Sequence, residues 1–198
     1  SMAARRLASP AKRAQDRRAH LILIDESGLM MAPLVRRTLA PAGHTPLLKQ
    51  KASHRDRVSL VAALSISPIR RTLGLRFRTY PQGFVNNERS AEFLRRVLAE
   101  LRGPVIVVWD RGNMHKGEPI RRLLARFPRL ELHWLPPYAP DLNPVEHLWN
   151  HLKYGKFPNY APTNVDELHR KIKERLRAVR TQPKRLDAFF NASRLTFD

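Results

Sequence analysis

The sequence contains no cysteine. That excludes disulfide frameworks, thiolate-bound zinc and thiol catalysis, and it fits a reducing cytoplasm. No apolar run approaches the roughly 20 residues of a membrane span. The arginine-rich N-terminus also lacks the apolar stretch of a signal peptide. Acid is scarce: 17 Asp+Glu stand against 37 Lys+Arg, a formal net charge of +20. The positive charge runs along the whole chain and is not confined to a tail. Such an excess repels itself in the folded state and favours a polyanionic partner, nucleic acid above all. No internal repeat, low-complexity segment or second domain is visible in 198 residues, a length that suits one domain with a substantial core.

Because carboxylates are few, their placement is informative. Asp25 follows Leu21-Ile22-Leu23-Ile24, and Asp110 follows Val105-Ile106-Val107-Val108-Trp109. Both runs read as strands buried on two faces, each ending in an aspartate. A third carboxylate, Glu146, follows the proline-stiffened segment Leu135-Pro136-Pro137-Tyr138-Ala139-Pro140 and falls in the first turn of a helix opened by Asn143-Pro144.

The remaining pattern supplies the frame. Residues 1–19 read as a basic linker or arm with a short helix as the alternative, and residues 20–198 as one domain. Strands are expected at 20–26, 45–50, 58–66, 73–80, 105–109 and 130–135, with a hairpin across Ser67-Pro68. Phe93, Leu94, Val97, Leu98 and Leu101 share a helical face, with Asn86 or Asn87 as N-cap, and Gly103-Pro104 stops that helix. Pro119 opens a helix carrying Ile120, Leu123, Leu124 and Phe127. The Glu146 helix should end near Gly155. Asn164 and Glu167 stand at capping-box spacing before a long helix, and Pro183 starts a last short one. The expected fold is α/β, a mixed sheet flanked by helices.

Two strand-end aspartates and a helix glutamate offer hard oxygen ligands for a pair of divalent ions of the kind that serve phosphoryl transfer. Each residue also has a plain structural explanation. A strand-end aspartate commonly caps a turn, Glu146 lies at capping-box spacing from Asn143, and Asp141 could itself be the cap. The conjunction of three favours the site.

The segment from Tyr138 to Trp149 resembles the third-carboxylate motif of mariner-like DDE transposases, and is closest to their bacterial insertion-sequence relatives, where Tyr-Ser/Ala-Pro-x-Leu-Asn-Pro-Ile/Val-Glu is characteristic. Ile24-Asp25-Glu26-Ser27-Gly28 resembles the first-aspartate motif. Val107-Val108-Trp109-Asp110, with Asn113 and His115 after it, resembles the second. The 35 residues between Asp110 and Glu146 are close to the short gap usual in the family. The resemblance covers roughly residues 20 to 155. It implies a ribonuclease H-like fold and two Mg²⁺ or Mn²⁺ ions held by Asp25, Asp110 and Glu146. It also implies nicking at element ends followed by strand transfer to target DNA, in a homodimeric complex with no membrane and in a cytoplasmic, nucleoid-associated setting. His115 matches a histidine near phosphate or the site, and Glu26 is expected to point away from Asp25 on the strand.

Two departures stand out. Arg111 occupies the place where relatives commonly have Asn, and Arg37 to Gly43 lacks the Trp of the relatives' Arg-x-Trp-x-x-x-Gly segment. Both affect local DNA contacts and leave the ligands in place. Basic residues Arg36, Arg37, Lys49, Lys51, Arg55 and Arg57, with Arg111, His115 and Lys116 near the second aspartate, are the candidates for a DNA groove. His147 and His151 have zinc-motif spacing, but Leu148 stands where that motif needs its catalytic Glu. Relatives carry helix-turn-helix modules ahead of the catalytic domain, for which residues 1–19 leave no room. With Ser1-Met2 reading as a cleavage scar, the chain is expected to be a fragment or a split protein. Two rival functions remain at this point: a non-catalytic DNA-binding or assembly module on the same fold, and a ribonuclease H-like nuclease on RNA:DNA hybrids.

Overall fold

The computed structural model describes residues 10–32, 34–37, 39–44, 47, 56–112, 115, 117–137 and 139–193. Among these, five strands form one sheet: β1 (His20–Met30), β2 (Arg57–Ile66), β3 (Leu73–Tyr80), β4 (Val105–Trp109) and β5 (Leu130–Trp134), in the order β3-β2-β1-β4-β5. β1, β2 and β3 are antiparallel neighbours, while β4 and β5 run parallel to β1. The helices are α1 (residues 10–16), α2 (Asn87–Glu100), α3 (Glu118–Arg126), α4 (Pro144–Asn150), α5 (Val165–Arg180) and α6 (Pro183–Ala192). This is a ribonuclease H-like mixed sheet flanked by helices.

Strand alternation divides the core in two. Leu21, Leu23, Leu60, Ala62, Leu64, Ile106 and Val108 face a layer built by α4, α5 and α6, which contributes Leu148, Trp149, Ile172, Leu176 and Phe190. Ile22, Ile24, Val61, Ala63, Val105, Val107 and Trp109 face Phe93, Leu94, Val97 and Leu98 of α2 and Ile120 and Leu123 of α3. Each fully buried side chain of this kind stabilises by about 1.5–3 kcal/mol. α1, within the segment expected to be an arm, packs Ala11 and Ala14 into the first core, while Arg13 and Arg17 pair with Glu131 on β5.

Local chemistry sets the element ends. Asn86, one of the two candidates, caps α2 through the Arg89 N–H. Asn164 caps α5 by accepting from the Glu167 N–H, but the Glu167 carboxylate reaches back to Thr163, not to Asn164 as a capping box would. Those donors, with the Tyr160 hydroxyl, hold Glu167 down to about 2. The Glu146 helix does not run as α to Gly155. It changes at His151 into a single π turn, His151–Lys156. The strand expected at 45–50 lies outside the described residues.

Candidate active site

β1 is longer than its apolar run. The ladder with β2 continues through Glu26-Ser27-Gly28 to Met30, so Asp25 sits in mid-strand opposite Ala62 and not at a strand end. The apolar run stops at Ile24 because Glu26, Ser27 and Gly28 are only half-buried, which is not where the backbone pairing stops. On the other side, β1 and β4 pair only as far as Leu23 with Val108. The two parallel strands part there, and the carboxylates of Asp25 and Asp110 both line the opening. The cleft holds about 320 Å³ and is walled by Asp25, Asp110, Arg111, Gly112, Leu135, Pro136, Pro137, Ala139, Pro140, Asn143 and Glu146. All three expected carboxylates therefore meet in one cavity.

Glu146 is delivered by Asn143. The Asn143 carboxamide accepts from the Val145 N–H at 3.2 Å and donates to the Ile24 carbonyl at 3.1 Å, fastening the start of α4 to β1 beside Asp25. Asn143, not Asp141, is thus the cap of α4. The Asn143 N–H already donates to the Pro140 carbonyl at 2.8 Å, so the reciprocal arm of a capping box is filled by backbone. Glu146 lines the cleft instead.

Asp25 is 7 % exposed. Its Oδ2 accepts from the Trp149 indole N–H at 2.8 Å. Burial, then the neighbouring charges of Glu146 and Glu26, push it up to about 8, against the pull of the Trp149 hydrogen bond. Asp110 is more open. Its Oδ1 accepts from the Gly112 N–H at 2.9 Å and lies 2.6 Å from His115 Nδ1. His115 is 1 % exposed and stacks on Trp109 with ring centroids 4.1 Å apart. Its Nε2 is 3.0 Å from Glu26 Oε2. Burial disfavours the imidazolium, but Asp110 and Glu26 together outweigh it and raise His115 to about 9.

The donor set is all oxygen, which suits Mg²⁺ or Mn²⁺. Burial and the neighbouring acids disfavour the charged form of Asp25, and a bound cation would favour it. As the side chains stand, no three acidic or histidine groups among the described residues are close enough to enclose an ion. Asp110 is held by His115 and Gly112.

A family model described as DDE superfamily endonuclease matches residues 20–169. The chain belongs to that family. Solved structures with the same fold include the Mos1 transposase paired-end complex with left transposon end, at 17 % identity and a TM-score of 0.60 over 99 % of this chain. The Mos1 strand transfer complex aligns at 17 % identity and a TM-score of 0.61 over 96 % of this chain and 59 % of the other. The Mos1 transposase catalytic domain with raltegravir and Mn aligns at 17 % identity and 0.54 over 99 % of this chain and 93 % of that one. The chain spans about three fifths of the paired-end complex's transposase chain, 61 %. Among curated proteins none matches.

Within this member of the DDE superfamily, the candidate DNA contacts divide. Arg36, Arg37 and Arg111 are exposed, and Arg111 stands at the cleft itself. The Arg36 guanidinium donates to the Tyr154 carbonyl, and Asn159 clasps the Arg36 backbone through two hydrogen bonds. The Arg57 guanidinium is half-buried and lies 3.9 Å from the Phe84 ring centroid. His115 is not presented to DNA: its burial and its two carboxylate partners turn it inward. Lys49, Lys51, Arg55 and Lys116 lie outside the described residues. Sequence reading did not foresee Trp149 as a donor to Asp25, or Glu26 as a partner of His115. Trp149 sits three residues after Glu146, on the same side of α4, which was the available signal.

Proposed function

We propose that this chain is the catalytic domain of a transposase, cutting DNA strands at element ends and joining them to target DNA with two Mg²⁺ or Mn²⁺ ions. The observation that carries the reading is the convergence of Asp25, Asp110 and Glu146 on one cleft between β1, β4 and α4. The family supports it, as does the likeness to Mos1 transposase structures, among them a paired-end complex with left transposon end, a strand transfer complex and complexes with Mg and Mn.

Asp25, Asp110 and Glu146 would hold the ions. The chemistry such a pair would supply is activation of an attacking water or 3′-hydroxyl and stabilisation of the leaving oxygen. The protein supplies rigidity. β1 fixes Asp25, the Asn143 clasp fixes the start of the Glu146 helix, and Pro136, Pro137 and Pro140 stiffen the wall opposite. Arg111 offers a cation to a phosphate entering the cleft. Two element ends held together call for two catalytic chains, so the working unit is a homodimer acting on nucleoid DNA. We place the catalytic unit at residues 20–198, with α1 of the basic segment before it packed against the same core.

The test is cleavage of end-labelled element-end duplex. Nicking that requires Mg²⁺ or Mn²⁺, stops in EDTA, fails with Ca²⁺ and disappears in Asp110→Asn is the expected result. Full activity in EDTA, or rescue by Zn²⁺ alone, overturns the reading.

A further inference from the structure

We propose that Glu26 and His115 are positioning residues that anchor the Asp110 carboxylate at the cleft and, through it, set the affinity for metal. The proposal rests on the reading of Asp25, Asp110 and Glu146 as a metal site. It concerns two groups that do not line the cleft.

Three observations carry it. First, His115 is buried and each ring nitrogen faces a carboxylate: Nδ1 is 2.6 Å from Asp110 Oδ1, and Nε2 is 3.0 and 3.1 Å from the two oxygens of Glu26. The ring can turn in neither direction without losing a charged partner. Second, its plane is fixed by the Trp109 ring, 4.1 Å away and inclined by 25°. Third, two donors converge on the same Asp110 oxygen, the His115 ring and the Gly112 N–H. A Cβ at Gly112 would lie 3.0 Å from that oxygen and 3.1 Å from His115 Cε1. The turn after β4 is therefore closed tightly around this contact.

The origin of the arrangement is strand alternation. Asp25 and Glu26 are adjacent on β1 and face opposite layers. Asp25 enters the cleft, whereas Glu26 reaches His115 on the other face. β1 thus sets one carboxylate of the site directly and a second one through an imidazole. Outer partners of metal ligands typically change metal affinity by about 10- to 100-fold when removed.

The experiment measures Mn²⁺ binding to the full chain by calorimetry, alongside far-UV circular dichroism and thermal midpoints, for wild type, Glu26→Gln, His115→Gln and His115→Ala. His115→Ala should weaken Mn²⁺ binding about 10- to 100-fold. Glu26→Gln keeps side-chain size and should weaken it by roughly tenfold with the midpoint little changed. His115→Gln retains one donor and should fall between wild type and His115→Ala. In cleavage assays, the Mn²⁺ concentration giving half-maximal rate should rise by the same factors, with a smaller loss of rate at saturating Mn²⁺. If His115→Ala does not fold, Glu26→Gln decides. Wild-type Mn²⁺ affinity in folded Glu26→Gln and His115→Gln overturns the proposal, even if cleavage slows. Failure of wild type to bind Mn²⁺ overturns the metal-site reading beneath it.

Discussion

Asp25 and Glu26 are neighbours in sequence and opposites in treatment. The first turns to the face covered by α4, α5 and α6, is nearly sealed from solvent, and has one neutral donor, the Trp149 indole. The second turns to the face covered by α2 and α3 and meets a histidine that its own presence helps to charge. One acid has its charged form disfavoured by burial and by its acidic neighbours, and the other faces an imidazole. An acid buried without a cationic partner is where a cation would gain most, and an acid that has such a partner is suited to support.

The largest effect expected from breaking this contrast is on catalysis. Asp25→Asn, Asp110→Asn and Glu146→Gln should each abolish DNA cleavage while the circular dichroism spectrum stays that of the folded protein. Wild-type cleavage in any of them would remove that residue from the site. Asp25→Asn should also hold or raise the metal-free melting temperature, because burial and then Glu146 and Glu26 disfavour the carboxylate that it replaces.

Next in size is the pH dependence of metal-free stability. Asp25 has a folded-state value of about 8, above its ordinary 3.8, so its contribution is complete below about 3.8 and is lost as pH rises through about 8. His115 moves the same way: its contribution is complete below 6.5 and is lost through about 9. In EDTA the melting temperature should therefore fall as pH rises across this range. A loss of a few kcal/mol corresponds to roughly 5–10 °C for a chain of this size. Asp25→Asn should flatten the lower part of that slope, and excess Mn²⁺ should oppose it. A melting temperature that rises with pH in EDTA would contradict both assignments.

Smaller losses should follow from the groups that aim the carboxylates. Trp149→Phe removes the donor to Asp25 while keeping an aromatic ring, and should cost about 1–3 kcal/mol in urea unfolding. Asn143→Ala removes both the cap of α4 and its tie to Ile24, and should cost about 1–2 kcal/mol while displacing Glu146. Unchanged urea midpoints would show that neither contact matters in solution. The smallest expected effect is on DNA affinity. For about six neutralised phosphates, the log–log salt slope should be near −5, and alanine at Arg36, Arg37 or Arg111 should each make it shallower by about one. A salt-independent affinity would remove the groove.

Much of this was legible in sequence. Apolar runs located β4 and most of β1, β2, β3 and β5, and Asn143-Pro144 located the helix that carries Glu146. The carboxylate triad was visible as well, since two of its members end apolar runs and the third follows a stiff proline segment. Non-local features were not. The extension of β1 to Met30 depends on pairing with β2, and the polar residues Glu26-Ser27-Gly28 hide it. The helix at 10–16 gives its Ala11 and Ala14 to the core, a small contribution inside an otherwise basic segment. His115 reads in sequence as a DNA contact, because only the fold reveals that Glu26, 89 residues earlier, waits beneath it.

The π turn after α4 has a consequence for insertions and deletions. Leu148 and Leu152 are buried four residues apart, as an α-helix requires, but the next buried residue is Phe157, five further on, while Lys156 is exposed. The wide turn resets the helical phase by one position, bringing an aromatic into the core and leaving a lysine in solvent. Removing a single residue between His151 and Lys156 would let the helix continue as α with Phe157 still on the buried face, whereas adding one would carry Phe157 past it. The wide turn should therefore accept the loss of one residue more readily than the gain of one, even though half of its residues are exposed.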